Sequence, residues 1–299
     1  MKKTDLAHCV ERFLGSLREK NASLHTQTAY RKDLAKLVAY ARPACDAGTL
    51  DHLGIRGFLA QLYSAGLSKS SVARHLAALR SLFRWMAQEG IVESNPALLV
   101  ATPRLPRKLP RVPTVEEMNT ALDSAIPECS SFPERDALIF ELLYGCGIRN
   151  AELVAMNLDD ISSSNELILI RGKGKKERLV PFGESVCAAL KEYLPARQRL
   201  LAQKRRAPPS LLLSLRAERL TTRSVGRIVK RIAVAKGLPA DVHPHTLRHT
   251  LGTNMLQEGA DLRTIQEILG HERLSTTQRY TQLSVKHVMD VYDKTHPKA

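Results

Sequence analysis

The chain has 299 residues, 43% of them hydrophobic and 25% charged, proportions that exclude disorder over most of its length. That length exceeds one ordinary hydrophobic core and predicts two domains. A formal net charge of +15 favours a polyanionic partner such as nucleic acid, with a merely soluble basic protein as the plain alternative.

Five cysteines, Cys9, Cys45, Cys129, Cys146 and Cys187, are scattered and form no C-x-x-C pair. The pattern argues against a disulfide framework or a zinc site, and predicts structural thiols in a reducing compartment. The opening MKKTDLAHCVERFLGSL begins basic, but His8, Glu11 and Arg12 interrupt the apolar run that a signal peptide needs. ALIFELLYGCGI is too short to span a bilayer and contains Glu141. A cytoplasmic protein without a membrane role is expected.

The first hundred residues read as a small bundle of four helices. Apolar stripes run through Val10, Phe13, Leu14 and Leu17, then Tyr30, Leu34, Leu37 and Val38, then Ile55, Leu59 and Leu62. The clearest stripe is Val72, Leu76, Leu79, Phe83 and Met86, with a serine cap before it and Gly90 after. Lys32, Lys36, Lys69, Arg74, Arg80 and Arg84 fall on the outer faces. There they are either solvated charges or contacts to a polyanion.

The segment ATPRLPRKLPRVP holds four prolines and four basic residues, which block helix and sheet and predict a stiff extended connector. The expected organisation is a helical domain at 1–101, a connector at 102–113 and a second domain at 114–299. Arg104, Arg107 and Lys108 of the connector are candidate contacts to a phosphate backbone.

Beyond it, Thr114 with Glu116 and Glu117 marks a helix start. A helix is predicted over Glu134 to Tyr144, ending at Gly145, and another through Glu152, Leu153 and Met156, capped at Asn150 or a neighbour. ELILIRGKGKKERLVPF reads as a hairpin around a glycine and lysine turn. Helical patterns return from Ser185 onward. The second domain is therefore mainly α with a small β-sheet.

In HPHTLRHT, Pro244 suits the first helical position, which makes Leu247, Leu251 and Met255 a core stripe. His245 and Arg248, three apart, then share another face near a helix N-terminus able to receive an anion such as phosphate. Structural histidines are the rival reading, and a metal site a weaker one, because no acidic or cysteine ligand sits at helical spacing. His243 and His249 are assigned to capping or packing. In the stretch leading into LGHERLSTTQRY, which begins at Leu269, Leu262, Ile265, Ile268 and Leu269 form a stripe that stops at Gly270, a C′ position. His271 follows it. Ser275 and Gln278 have capping-box spacing, predicting a short helix that carries Tyr280.

Arg149, Lys173, His245, Arg248, His271 and Tyr280, in that order and after a small helical domain, resemble the tyrosine recombinase and integrase family. YGCGIRNAEL, RGKGKKERLVPFG, HPHTLRHT, LGHERLSTTQRYTQL and VYDKTHPKA are similar to its Xer type, the XerC branch more than the XerD branch. The resemblance spans essentially the whole chain. Asn150 departs from the small aliphatic residue found in many relatives.

The resemblance implies a SAM-like core-binding N-terminal domain, an α+β catalytic domain and a two-domain clamp on DNA. It implies a site-specific recombinase in which Tyr280 attacks a DNA phosphodiester and leaves a 3′-phosphotyrosyl link. Arg149 and Arg248 would hold the phosphate, Lys173 would protonate the leaving oxygen, His245 would exchange a proton with Tyr280, and His271 would bond the phosphate. Without the family, Lys173 is indistinguishable from Lys175 and Lys176, which are taken as DNA contacts. Glu152, near Arg149, is a candidate to orient a basic side chain. Asp159 and Asp160, adjacent, are poorly placed to share a magnesium ion, so neither metal nor cofactor is expected.

The resemblance further implies double-stranded DNA as substrate, a tetramer on paired sites that can include a second Xer-type recombinase, a septal DNA translocase as activator, and chromosome-dimer resolution at a dif-like site. Alternatives are an integrase of a mobile element, a catalytically silent DNA-binding protein, and a type IB topoisomerase. In the tail, Val285, Val288, Met289 and Tyr292 share a helical face that would dock on a neighbouring protomer or on its own domain.

Overall fold

The computed structural model describes residues 4–41, 45–104, 113–172, 177–269 and 295. Over these the architecture is mainly helical with one three-stranded antiparallel sheet, and the chain divides into two compact units, Met1–Lys108 and Leu109–Ala299.

The N-terminal unit contains α1 (Leu6–Glu19), α2 (Leu24–Tyr40), α3 (His52–Ser64) and α4 (Lys69–Gln88). Each starts on a side chain that accepts a backbone N–H two or three residues into the helix: Asp5, Ser23, Asp51 and Ser68. Gly90, at φ +68°, follows α4 as predicted. The apolar stripes turn inward, so Val10, Phe13, Leu14, Leu34, Leu37, Ile55, Phe58, Leu76, Leu79 and Phe83 form one core. Leu17, Tyr30 and Val38 stay half-buried at its edge.

Asp33 is buried in this core, where it accepts from Arg74 at 2.8 Å and faces His75 Nε2 at 3.4 Å. Lys32, Lys36, Lys69, Arg74 and Arg84 are exposed. Arg80 departs from the expected outer face. Its guanidinium donates to Ala97 O at 3.2 Å, Val100 O at 2.7 Å and Thr102 Oγ1 at 2.9 Å. The chain leaving the bundle is irregular, and its carbonyls need donors that no ladder supplies.

The C-terminal unit starts with α5 (Val115–Asp123), entered through a reciprocal pair in which Thr114 Oγ1 accepts from Glu117 N and the Glu117 carboxylate accepts from Thr114 N. Then come α6 (Pro133–Tyr144), α7 (Asn150–Ala155), β1 (Ile161–Ser162), β2 (Leu167–Arg171), β3 (Glu177–Pro181), α8 (Glu184–Lys204), α9 (Thr222–Ala235), α10 (Pro244–Gln257) and α11 (Leu262–Leu269). The predicted hairpin is β2–β3, with Ile168 opposite Val180 and Ile170 opposite Arg178. Strand β1 adds to it along Ile161 and Ser162, too short to leave a period in the sequence. Around α6, Leu138, Leu142 and Leu143 meet Ile168 and Val180 of the sheet, Val229 of α9 and Leu247, Leu251 and Met255 of α10 in one core.

The cysteines are all free, but only Cys9 and Cys146 are buried, while Cys45 and Cys187 are half-buried and Cys129 is exposed. The expectation of five structural thiols therefore narrows to two. Asp160 is buried, accepts the N–H of Asn157 at 2.8 Å and pairs with Arg171, whereas Asp159 is exposed. Among the described residues no helix is long and apolar enough to cross a membrane.

Candidate active site

The turn between α6 and α7 begins the site. Gly147 has φ +58°, and a Cβ there would lie 2.6 Å from Leu269 Cδ2 and 2.9 Å from Leu251 Cδ2. Only glycine fits both the backbone conformation and the space. Two residues on, Arg149 occupies the N-cap position of α7 in extended conformation. This is the neighbour of Asn150 at which the helix starts.

Glu152 reaches back to that cap. Its carboxylate accepts the Arg149 backbone N–H at 3.0 Å and Arg149 Nη1 at 2.9 Å. The same two oxygens accept Nη1 and Nη2 of Arg178 from β3, both at 2.8 Å, a forked pairing of the strongest geometric kind. Burial works against the charge on Glu152. The hydrogen bonds and charge of Arg178, followed by the bonds from Arg149, outweigh it and hold the carboxyl down to about 2.

Helix α10 supplies the other half. Pro244 sits in its first turn, and Leu247, Leu251 and Met255 are buried as predicted. Arg248 is also buried, with its guanidinium donating to the carbonyls of Gly147 and Leu269. The sequence placed Arg248 on an open face beside His245. The tertiary fold instead brings the Gly147 turn and the end of α11 against it, and two of its five N–H donors go to backbone. Burial first, then the charges of Arg149 and Arg178, lower its pKa to about 10, which still leaves it cationic at neutral pH.

His245 is exposed. Partial desolvation, then the neighbouring His243, Arg248, His249 and Arg149, push its pKa below that of an ordinary imidazole. The field of Arg149 therefore reaches both α10 groups. Arg149, His245 and Arg248, separated by up to 99 positions in sequence, share one electrostatic neighbourhood that favours an anion and keeps the imidazole neutral, able to accept a proton.

His243 stands at the N-cap position of α10 without capping it through its side chain. Its Nδ1 lies 2.8 Å from Asp241 O and 2.5 Å from Thr246 Oγ1. His249 is exposed and neither caps nor packs as expected. Arg104 is exposed in irregular chain. Arg107, Lys108, Lys173, Lys175, Lys176, His271 and Tyr280 lie outside the described residues, as do the expected C′ role of Gly270, the short helix from Ser275 and the tail stripe from Val285 to Tyr292.

The sequence reading missed Arg178. A signal was present: it alternates with Val180 and faces Ile170 across the hairpin, so an arginine stands on the inward face of an apolar strand.

Residues 112–287 match the model of the Phage integrase family, and residues 10–90 match that of the Phage integrase, N-terminal SAM-like domain. The chain is 41% identical over 298 residues to tyrosine recombinase XerC of Thermodesulfovibrio yellowstonii, covering 98% of each. It is 43% identical over 285 residues to tyrosine recombinase XerC of Pelobacter propionicus, covering 94% of this chain and 92% of that one. Among solved structures, a lambda integrase dimer bound to a core site superposes with a TM-score of 0.70 at 20% identity, over 93% of this chain and 98% of that one. The XerH site-specific recombinase bound to its difH substrate superposes with a TM-score of 0.67 at 23% identity, over 97% and 82%. These structural likenesses show a shared fold, and the sequence matches show more: the chain belongs to the phage integrase family and is a tyrosine site-specific recombinase of Xer type, akin to the XerC enzymes.

Proposed function

We propose that the chain cuts and rejoins double-stranded DNA by transesterification, with Tyr280 as nucleophile and a 3′-phosphotyrosyl intermediate. The observation that carries this reading is the convergence of Arg149, Arg248 and His245 around one site whose charges favour an anion.

A phosphodiester gains negative charge on its non-bridging oxygens as a nucleophile attacks. Two guanidiniums that are cationic throughout the physiological range stabilise that charge, each by roughly 3 to 4 kcal/mol by analogy with oxyanion donors. A tyrosine is ionised to only about one part in a thousand at neutral pH, so it needs a base. His245, neutral because of its surroundings, takes the phenolic proton. Lys173 gives a proton to the departing 5′-oxygen and His271 bonds the phosphate. The energy of the broken ester stays in the new one, so strand transfer needs no cofactor and no metal.

Two other tyrosines of the C-terminal unit are poor nucleophiles. Tyr144 and Tyr193 are fully buried and hydrogen-bonded to Asn254 and Leu211 O, and burial raises both phenols, Tyr193 to about 12. This sets Tyr144 and Tyr193 aside as attacking groups.

In this reading residues 1–101 and 114–299 act as two DNA-binding domains joined by the connector 102–113. Arg104, Arg107, Lys108, Lys175 and Lys176 contact phosphates. Four protomers assemble on paired sites in the cytoplasm, with a second Xer-type recombinase and a septal translocase as partners, to resolve chromosome dimers at a dif-like site.

The test uses a nicked duplex that traps the intermediate. The wild-type chain forms a covalent adduct, and Tyr280→Phe binds equally well without forming one. Binding by the wild type with no adduct on any duplex recovered from cells would overturn the proposal in favour of a silent DNA-binding protein.

A further inference from the structure

We infer that Arg178 is a positioning residue: through the shared Glu152 carboxylate, it fixes the guanidinium of Arg149 in the orientation that receives the scissile phosphate. The inference rests on the functional reading above, and no role for residue 178 is contained in that reading.

Four hydrogen bonds meet on one carboxylate. Arg178 takes both oxygens in a planar fork at 2.8 Å, and Arg149 donates its backbone N–H to one oxygen and Nη1 to the other. The two arginines play different parts. Arg178 has a side chain only 10% exposed, whereas that of Arg149 is 39% exposed. The buried partner is the anchor, and the more exposed one is the side chain that a ligand can reach.

Without Arg178, Glu152 would be a buried carboxylate balanced by a single half-exposed cation. It would then either rotate toward water or draw the Arg149 guanidinium wholly onto itself, and both outcomes misplace the donor that the phosphate needs. A misplacement of about 1 Å at a reacting group is enough to cost about a hundredfold in rate. Arg178 is also the second residue of β3, which runs from Glu177, and stands five positions after Lys173 in the sequence. It therefore has two possible routes to the chemistry: by way of Arg149, which is the inference, or by way of Lys173.

The experiment compares full-length wild type, Arg178→Gln, Arg178→Lys, Glu152→Gln and the double variant R178Q/E152Q. Duplex affinity, single-turnover adduct formation at saturating DNA and thermal unfolding are read for each. Arg178→Gln should slow adduct formation about 10- to 100-fold, in the range lost when the orienting partner of an active group is removed, with duplex affinity within about twofold. Arg178→Lys restores the charge but not the fork, so it should recover part of the rate and serves if the glutamine variant unfolds. The double variant should be no slower than Glu152→Gln alone, because the two residues act as one unit. Losses that multiply would overturn the inference, as would an unchanged rate, or a loss matched by equal losses of affinity and stability.

A duplex with sulfur in place of the bridging 5′-oxygen separates the routes, since its leaving group needs no proton. The Arg178→Gln defect should persist on it. Disappearance of the defect would assign Arg178 to Lys173 and overturn the inference. A readout independent of chemistry is rotation of the Arg149 guanidinium seen by nitrogen NMR, expected to be slow in the wild type and fast in Arg178→Gln. If the wild type formed no adduct, the functional reading would fall, while this contrast would still support the strut and equal rotation would still refute it.

Discussion

The two units bury polar groups in different ways. In the N-terminal unit, Asp33 and His75 are the polar residues buried among the described ones, and the rest of the core is apolar, most of it helix stripe. The C-terminal unit buries Arg135, Asp136, Glu152, Asp160, Arg197 and Arg248, each held by partners on other segments or on neighbouring charges. Buried charge is costly unless paired, so the second unit spends its polar contacts on fixing positions. The first holds its helices together mainly by apolar surface, with Asp33 tied to Arg74 as its buried charge pair.

Four substitutions and one titration test that contrast, and the single Trp85, buried in the bundle, reports on the N-terminal unit alone. The largest effect is expected for Arg248→Ala, which removes both the proposed phosphate donor and the ties to Gly147 and Leu269. Adduct formation should fall about a thousandfold, while the Trp85 fluorescence transition on heating stays where it was. If that transition moved, the separation of roles between the units would be wrong.

Leu79→Ala is the complementary change. Leu79 is fully buried in the bundle, and the cavity should cost about 3 kcal/mol, read as an earlier Trp85 transition. Gly147→Ala comes next. The added methyl meets Leu269 and Leu251 at a positive φ, a strain of about 2 kcal/mol that should lower the circular-dichroism transition of the C-terminal unit and leave Trp85 unaffected. Arg80→Met frees the segment from Ala97 to Thr102 and should cost about 1 kcal/mol in the Trp85 transition.

The smallest effect concerns pH. Because His245 titrates below the ordinary 6.5, it is neutral at pH 7 and protonates only as pH falls further. Single-turnover cleavage should therefore decline as the pH falls, with its midpoint below 6.5. A decline centred above 6.5 would contradict the electrostatics of the site.

Legibility follows the same division. The bundle was readable because a helix repeats every 3.6 residues, and Val72, Leu76, Leu79, Phe83 and Met86 are buried by that period alone. Its exception, Arg80, answers to carbonyls some twenty residues away that no local period encodes. In the second unit, the hairpin and the start of α10 were readable from turn residues and Pro244. Strand β1 was not, because two residues pair only once β2 exists.

The functional residues divide likewise. Arg149, His245 and Arg248 are proposed because their types and order match a family pattern, and Lys173, His271 and Tyr280 by the same match. Arg178 belongs to no such pattern in the reading. Its inward position on β3 marked it, but nothing in the chain between positions 152 and 178 says that the two side chains meet.

The helix stripes, their caps and the hairpin were set by the sequence alone, because each depends on chemistry within a few residues. The folded chain alone settles that Arg248 turns inward onto Gly147 and Leu269, that partial burial and then charges from two segments lower the pKa of His245, and that one carboxylate joins Arg149 to Arg178. Those outcomes depend on distance through space and on burial, and a covalent order of residues specifies neither until the chain has folded.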